Sequence, residues 1–128
     1  MRLSKKVLLK RFEKFNEKYF NNELTTPHFI VDGNRWIAGM FNCDVFVMTD
    51  EDTGEKYAVE LRDIRIRLSK YLIKNSHILD NILLHEMIHY YGYYSNEDIH
   101  GLHEKFFKKW AKKINKDGYN ICTYYEED

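Results

Sequence analysis

The sequence predicts an α+β domain: an N-terminal helix, a small antiparallel sheet, then two further helices, the first ending in H-E-x-x-H. Three observations predict it. Apolar residues recur at helical spacing near each end of the chain, short β-type runs separated by turn signals fill residues 28–68, and a long apolar run leads into His85-Glu86-Met87-Ile88-His89.

Leu8, Phe12, Phe15 and Tyr19 recur at +4, +3 and +4 among lysines and glutamates, which predicts an amphipathic helix beginning near Ser4. Asn21-Asn22 and then Thr25-Thr26-Pro27 end it, because the residue before a proline is pushed towards an extended conformation. His28 to Val31 is the first candidate strand, followed by a Gly33-Asn34 turn. Trp36 to Phe41 is a second and Val45 to Met48 a third. The polar stretch Asp50 to Glu55 reads as a turn leading to a strand at Tyr57 to Leu61. Ile64, Ile66 and Leu68 then alternate with Arg65 and Arg67, the period-2 signature of a strand with one buried face. Asn75 or Ser76 caps the next helix, which runs through Ile78, Leu79, Ile82, Leu83 and Leu84 into the H-E-x-x-H, and Tyr93 to Glu97 reads as a loop. The last helix starts near Asp98 or His103 and reaches Asn115, with Gly118 as its stop; Ile121 to Tyr125 reads as a short extended segment.

At 128 residues the chain is expected to form one domain over 1–128, large enough for a single modest core. A content of 44% hydrophobic and 16% aromatic residues excludes a disordered tail. Twenty basic side chains balance twenty acidic ones, so no global charge draws the chain to nucleic acid or anionic membrane. The two cysteines, Cys43 and Cys122, form no C-x-x-C pair and argue against a disulfide framework or a cysteine-based zinc ribbon. Charges at Arg2, Lys5, Lys6, Lys10 and Arg11 interrupt any signal-peptide core, and no apolar run approaches a membrane span. A reducing, cytoplasmic setting is the expectation.

On a helix, residues four apart stack on one face, so His85 and His89 can aim their rings at one point. Two converging imidazoles are a zinc half-site, and Glu86 between them is placed as general base for a water that the metal activates. Apolar residues cover nearly every face of this helix, so it should be buried all round. A carboxylate and two imidazoles buried there without partners would cost several kcal/mol. The plain alternative is a chance motif whose histidines hydrogen-bond to backbone. A metzincin pattern fails because Ser95 stands at its last histidine position, and the H-x3-H-x5-H pattern fails at the same residue. His100, His103 and Glu104 remain as third ligands. His103 is favoured, since it shares a helical stripe with Phe107, Trp110 and Ile114; His100 sits three residues earlier beside Gly101. His28 and His77 read as surface or capping residues.

The segment Leu83 to His89 resembles the catalytic helix of the SprT-like (Spartan-type) zinc metalloproteases. That family's third zinc histidine begins an H-G-x-x-F/W pattern; here His103 falls 14 residues after His89 with Phe107 at +4, while the His-Gly pair is His100-Gly101. Ala38-Gly39-Met40-Phe41 resembles the family's glycine-containing strand, and Ile66-Arg67-Leu68-Ser69 its strand before the catalytic helix. Phe15 to Phe20 with Leu24, and Ile114-Asn115 with Gly118 to Ile121, extend the likeness over residues 8–125. The resemblance implies a zincin-like fold, a Zn2+ ion and hydrolysis of peptide bonds. In the best-known members it also implies DNA-stimulated cleavage of proteins trapped on or crosslinked to DNA.

The partners expected are therefore a protein or peptide substrate and no membrane, with single-stranded DNA as a candidate. Lys105, Lys109, Lys112 and Lys116 line one face of the last helix with Lys108 and Lys113 beside them, and exposed tyrosines could stack on unpaired bases. A solvated face opposite the apolar stripe accounts for the same lysines, and Arg65 and Arg67 call for the same caution. Oxyanion support needs a donor, and among Tyr90, Tyr91, Tyr93, Tyr94, Tyr124 and Tyr125 the sequence selects none. Two rivals stand beside the peptidase reading: a zinc-stabilised, non-catalytic DNA- or protein-binding module, and a metallohydrolase of another substrate. The intact Glu86 speaks against the module, because a structural site needs no general base.

Overall fold

Ser4 accepts a hydrogen bond from the Val7 N–H (3.2 Å) and so caps helix α1, Lys5–Phe20, as its place before the apolar stripe predicts. The computed structural model describes residues 2–95 and 103–122, with the side chains of residues 57–59 and 103 outside that description. Leu8, Phe12, Phe15, Tyr19 and Phe20 form the buried face of α1, and Asn21 closes it in the left-handed conformation at φ 53°. Asn16, also buried, bonds the Leu24 carbonyl (2.8 Å) and N–H (3.2 Å), which folds the chain back after the helix.

The sheet contains β1 (His28–Asp32), β2 (Gly39–Thr49) and β3 (Lys56–Ser69) in the order β1-β3-β2. It is mixed, where the sequence predicts an antiparallel sheet: β2 and β3 are antiparallel, but β1 runs parallel to β3 with His28 opposite Arg65 and Asp32 opposite Ser69. The loop at 33–38 steps over one strand position, roughly 9.5 Å, and β3 returns to fill the gap. The candidate strands at Trp36–Phe41 and Val45–Met48 are one strand, as are those at Tyr57–Leu61 and Ile64–Leu68. What separates them is irregular pairing: the register shifts between Asn42 and Asp44, opposite Asp63 in the left-handed conformation (φ 51°), and again between Phe46 and Val47. Trp36 to Ala38 stay outside β2, because the Asn34 side chain accepts from the N–H groups of Trp36 (2.8 Å) and Ile37 (2.9 Å) and holds a turn there.

Asn75, rather than Ser76, caps α2 (Ser76–Tyr94) by accepting from the Ile78 N–H at 2.9 Å. This helix is the centre of the molecule and touches α1, β2, β3 and α3 (His103–Asn115). No residue from Ile78 to Tyr93 is fully exposed, as the apolar sequence predicts. Tyr93 and Tyr94 are helical rather than in a loop, and the Ser95 N–H still bonds the Tyr91 carbonyl at 2.8 Å. Asn96, Glu97 and the alternative helix start at Asp98 lie outside the described residues. Past α3, the Asn115 side chain holds both the N–H (2.7 Å) and carbonyl (3.0 Å) of buried Ile121, and residues 119–122 form no strand. The rest of the extended segment foreseen at Ile121 to Tyr125 lies outside the described residues. Among those residues no helix is long and apolar enough to cross a membrane.

Candidate metal centre

His85 and His89 stand four positions apart on α2, and their Nε2 atoms lie 3.1 Å apart. Two nitrogens bound tetrahedrally at zinc distances stand ~3.3 Å apart. The spacing therefore suits two bare nitrogens sharing a cation; with one ring protonated it equally suits an N–H···N hydrogen bond. The rings meet at 64° with centroids 4.9 Å apart. Phe107 of α3 packs against both, at 4.5 Å from the His85 ring and 4.8 Å from the His89 ring. An apolar floor of this kind fixes ring orientation and lowers the local dielectric.

Glu86 lies on the neighbouring face of the same turn and is only 5% exposed. Burial pushes its carboxyl up to about 8, and a hydrogen bond from the Phe41 backbone pulls against that rise. A cation next to it would favour the carboxylate, so the group suits a site that holds positive charge. Space for Glu86 comes from Gly39 at the start of β2. A Cβ built there would sit 2.6 Å from Ile82 Cγ2 and 3.0 Å from Glu86 Oε2. The glycine-containing strand thus approaches the helix as closely as it does because it has no side chain at that point.

Gly39, Met40, Phe41, His85, Glu86, His89 and Tyr93 together line a cleft of about 330 Å³. Tyr93 continues the His85–His89 stripe by one more turn, and its ring lies 5.7 Å from that of Phe41. It is the tyrosine that lines this cleft among the described residues; Tyr90 instead turns its hydroxyl to Thr25, at 2.8 Å from its side chain and 3.0 Å from its carbonyl. The sequence names Tyr93 among six candidate tyrosines without selecting it, because it places Tyr93 in a loop where the helix in fact runs on through Tyr94. The stripe of residues four apart was the signal that could have found it.

His103 opens α3 one helical turn before Phe107, the residue that touches both histidine rings. Its side chain, and all of His100, lie outside the described residues, and among those residues no three His, Cys, Asp or Glu side chains are grouped to hold an ion. Glu104 points elsewhere and pairs with Lys108 at 2.9 Å. His77 bonds Asn120 at 2.9 Å on the surface and His28 is exposed on β1, both away from the cleft as expected. The five lysines of α3, and Lys116 just past its end, are exposed; Lys108 is engaged by Glu104, and the Lys113 ammonium lies 4.6 Å from the Trp110 ring centre.

No curated protein and no solved structure matches this chain. The SprT-like family model does match, over residues 8–126, which covers the H-E-x-x-H helix, the glycine-bearing strand, α3 and most of α1. That family is associated with zinc metalloproteases, and membership of it suggests a metallopeptidase-type role. By a match that spans nearly its whole length, the chain belongs to the SprT-like family.

Proposed function

We propose that this protein is a zinc-dependent, zincin-like metallopeptidase in which His85, His89 and His103 hold Zn2+ and Glu86 is the general base. The observation that carries the reading is the convergence of two imidazole nitrogens, 3.1 Å apart, on a cleft that also contains a buried, readily protonated carboxyl. His103 is assigned on helical register, one turn before the phenylalanine beneath the other two rings.

Bound zinc would supply Lewis-acid polarisation of the scissile carbonyl and acidify a water held in the cleft. Glu86 takes a proton from that water as its oxygen bonds to the carbonyl carbon. The same carboxyl then gives the proton to the departing amide nitrogen as the C–N bond breaks. Burial beside Ile82, Gly39 and the Phe41 backbone makes the carboxylate a stronger base than a solvated glutamate. Phe107 packs against the two rings and covers their apolar side. The substrate class is a protein or peptide, with single-stranded DNA as a candidate activator and DNA-bound or crosslinked proteins as candidate targets.

The test is zinc content by mass spectrometry together with cleavage of a DNA-binding protein, with and without single-stranded DNA. Glu86→Gln should keep about one zinc per chain and lose at least ~100-fold in rate. His85→Ala and His103→Ala should lose the metal. A zinc-loaded parent that cleaves nothing, or matches Glu86→Gln, would leave a zinc-stabilised binding module.

A further inference from the structure

Trp36 is 89% exposed, the most exposed of the large apolar side chains among the described residues. A tryptophan left in water on a mobile tip would need no explanation, but this loop is pinned. Asn34 accepts from the Trp36 and Ile37 N–H groups, Ser69 donates its hydroxyl to the Asn34 carbonyl, and the Ser69 N–H bonds the Ala38 carbonyl at 2.9 Å. Ser69 is itself 1% exposed, so the loop is tied to the core at that point. The backbone that carries the exposed indole is thus pinned, and Gly39, where the cleft begins, is three residues on, at most ~11 Å along the chain.

Cations surround the same loop. The Arg35 guanidinium lies 4.7 Å from the Tyr71 ring centre, and the Lys74 ammonium lies 4.7 Å from it as well. Lys70 and Arg67 are exposed on the adjoining end of β3. The neighbouring acid, Asp32, is taken up by Arg67 at 3.5 Å and by the Asn34 N–H at 3.1 Å. An ordered aromatic face beside pre-positioned cations is the combination that binds an unpaired strand, with bases stacking and phosphates neutralised. The lysine face of α3 lacks the first half of it: Trp110, its aromatic residue, is packed against Phe20, Tyr91 and Phe106.

We propose that the surface made by Arg35, Trp36, Lys70 and Lys74 binds a single strand of nucleic acid at the mouth of the cleft, with a base stacked on the Trp36 indole. Stacking and phosphate contacts read no 2′-hydroxyl, so DNA and RNA single strands should bind alike. The proposal deepens the peptidase reading by placing its nucleic-acid partner, and it rests on that reading only for any effect on cleavage.

The experiment measures binding, not cleavage, on the full zinc-loaded chain. Oligodeoxythymidine, oligouridine, duplex DNA and inorganic polyphosphate are each titrated while tryptophan fluorescence and anisotropy are followed. The two single strands should quench the fluorescence and bind more tightly than duplex or polyphosphate. Trp36→Ala should weaken oligodeoxythymidine binding about tenfold and abolish most of the quenching. Arg35→Ala with Lys74→Ala should reduce the slope of log affinity against log salt by about 1.4. Lys109→Ala with Lys112→Ala should bind as the parent does. Equal binding by Trp36→Ala and the parent overturns the proposal, as does failure of any single strand to bind. Loss of binding in the α3 variant alone would move the site to that helix. A Trp36→Ala defect confined to the KM for an apolar peptide would make the patch a substrate contact instead. Failure of zinc loading or of cleavage leaves these binding outcomes intact, so the two readings fail separately.

Discussion

The β2–β3 ladder is one continuous hairpin with two very different halves. Near its base, Gly39 to Asn42 pair with Arg65 to Leu68, β1 covers the far edge, and α2 packs across the face; Ile66 and Leu68 are wholly buried. Beyond the register shift at Asn42/Asp44, the ladder is two strands alone, and Phe46, Val47 and Met48 are exposed along it. The base holds a glycine against a buried glutamate, while the outer half ends in the acidic turn Asp50 to Glu55. Backbone pairing is present in both; what differs is the third layer. A sheet positions chemistry where a helix and a third strand fix its side chains, and a bare two-stranded ribbon does not.

The largest expected effect breaks that comparison at its covered end. Phe107→Ala removes a side chain that is 1% exposed and packed on both histidine rings, and should cost about 3–5 kcal/mol in urea unfolding. It should also weaken zinc retention, because the Phe107 ring packs against both imidazoles. Phe46→Ala on the outer ladder removes a ring of equal size that is 46% exposed, with the Arg62 guanidinium 4.5 Å from its centre. It should cost under ~1 kcal/mol and leave zinc binding unchanged. Equal destabilisation by the two variants would mean that the outer ladder has a covering layer of its own.

Two glycines sharpen the contrast. Gly39→Ala must displace Ile82 or the Glu86 carboxylate, so a destabilisation of roughly 1–3 kcal/mol should come with a drop in peptidase rate and no loss of zinc. Gly54, at the tip, has nothing within 4 Å of its would-be Cβ but a φ of +72°. Gly54→Ala should therefore cost ~1 kcal/mol through backbone strain alone and leave the rate unaltered. A normal rate in a well-folded Gly39→Ala would show that Glu86 has room to spare.

The same division explains what the sequence revealed. The helices were legible because their apolar residues repeat every three or four positions and their caps are Ser4 and Asn75, residues with one local job each. His85, Glu86 and His89 were legible because their relation is local to one helix. The strands were harder. Asn42, Asp44 and Asp63 look like turn residues, and they sit instead in and beside the irregular pairing within long strands. The parallel placement of β1 depends on β3 returning between two earlier strands, a relation across more than 30 residues that no local pattern encodes. Trp36 reads as strand by propensity; the Asn34 side chain, which competes for its N–H, decides otherwise. Tyr93 needed the length of α2, which depends on the cap at Ser95.

The smallest effect compares two exposed carboxylates, one on each part of the molecule. Glu60 on the outer ladder is held below the usual carboxylate range by its hydrogen bond from Arg62 (2.8 Å) and by that residue's charge. Asp117, beyond α3, is held down first by a hydrogen bond from the Tyr19 hydroxyl (2.6 Å), with Lys18 adding a more distant charge at 3.6 Å. Each folded value lies below the unfolded one, so the linked stability is present above the unfolded pKa and is lost as pH falls through the folded pKa. Salt separates them. The Arg62 charge is screened by added electrolyte, whereas a hydrogen bond from a neutral phenol is not. Raising sodium chloride from ~0.05 to ~0.5 M should move the NMR-detected titration of Glu60 up towards its ordinary value more than that of Asp117. Tyr19→Phe should release Asp117 at either salt concentration and loosen the contact between α1 and the turn after α3. Equal salt shifts at the two sites would mean that Lys18, not Tyr19, holds Asp117 down, and that both carboxylates are simple surface ion pairs.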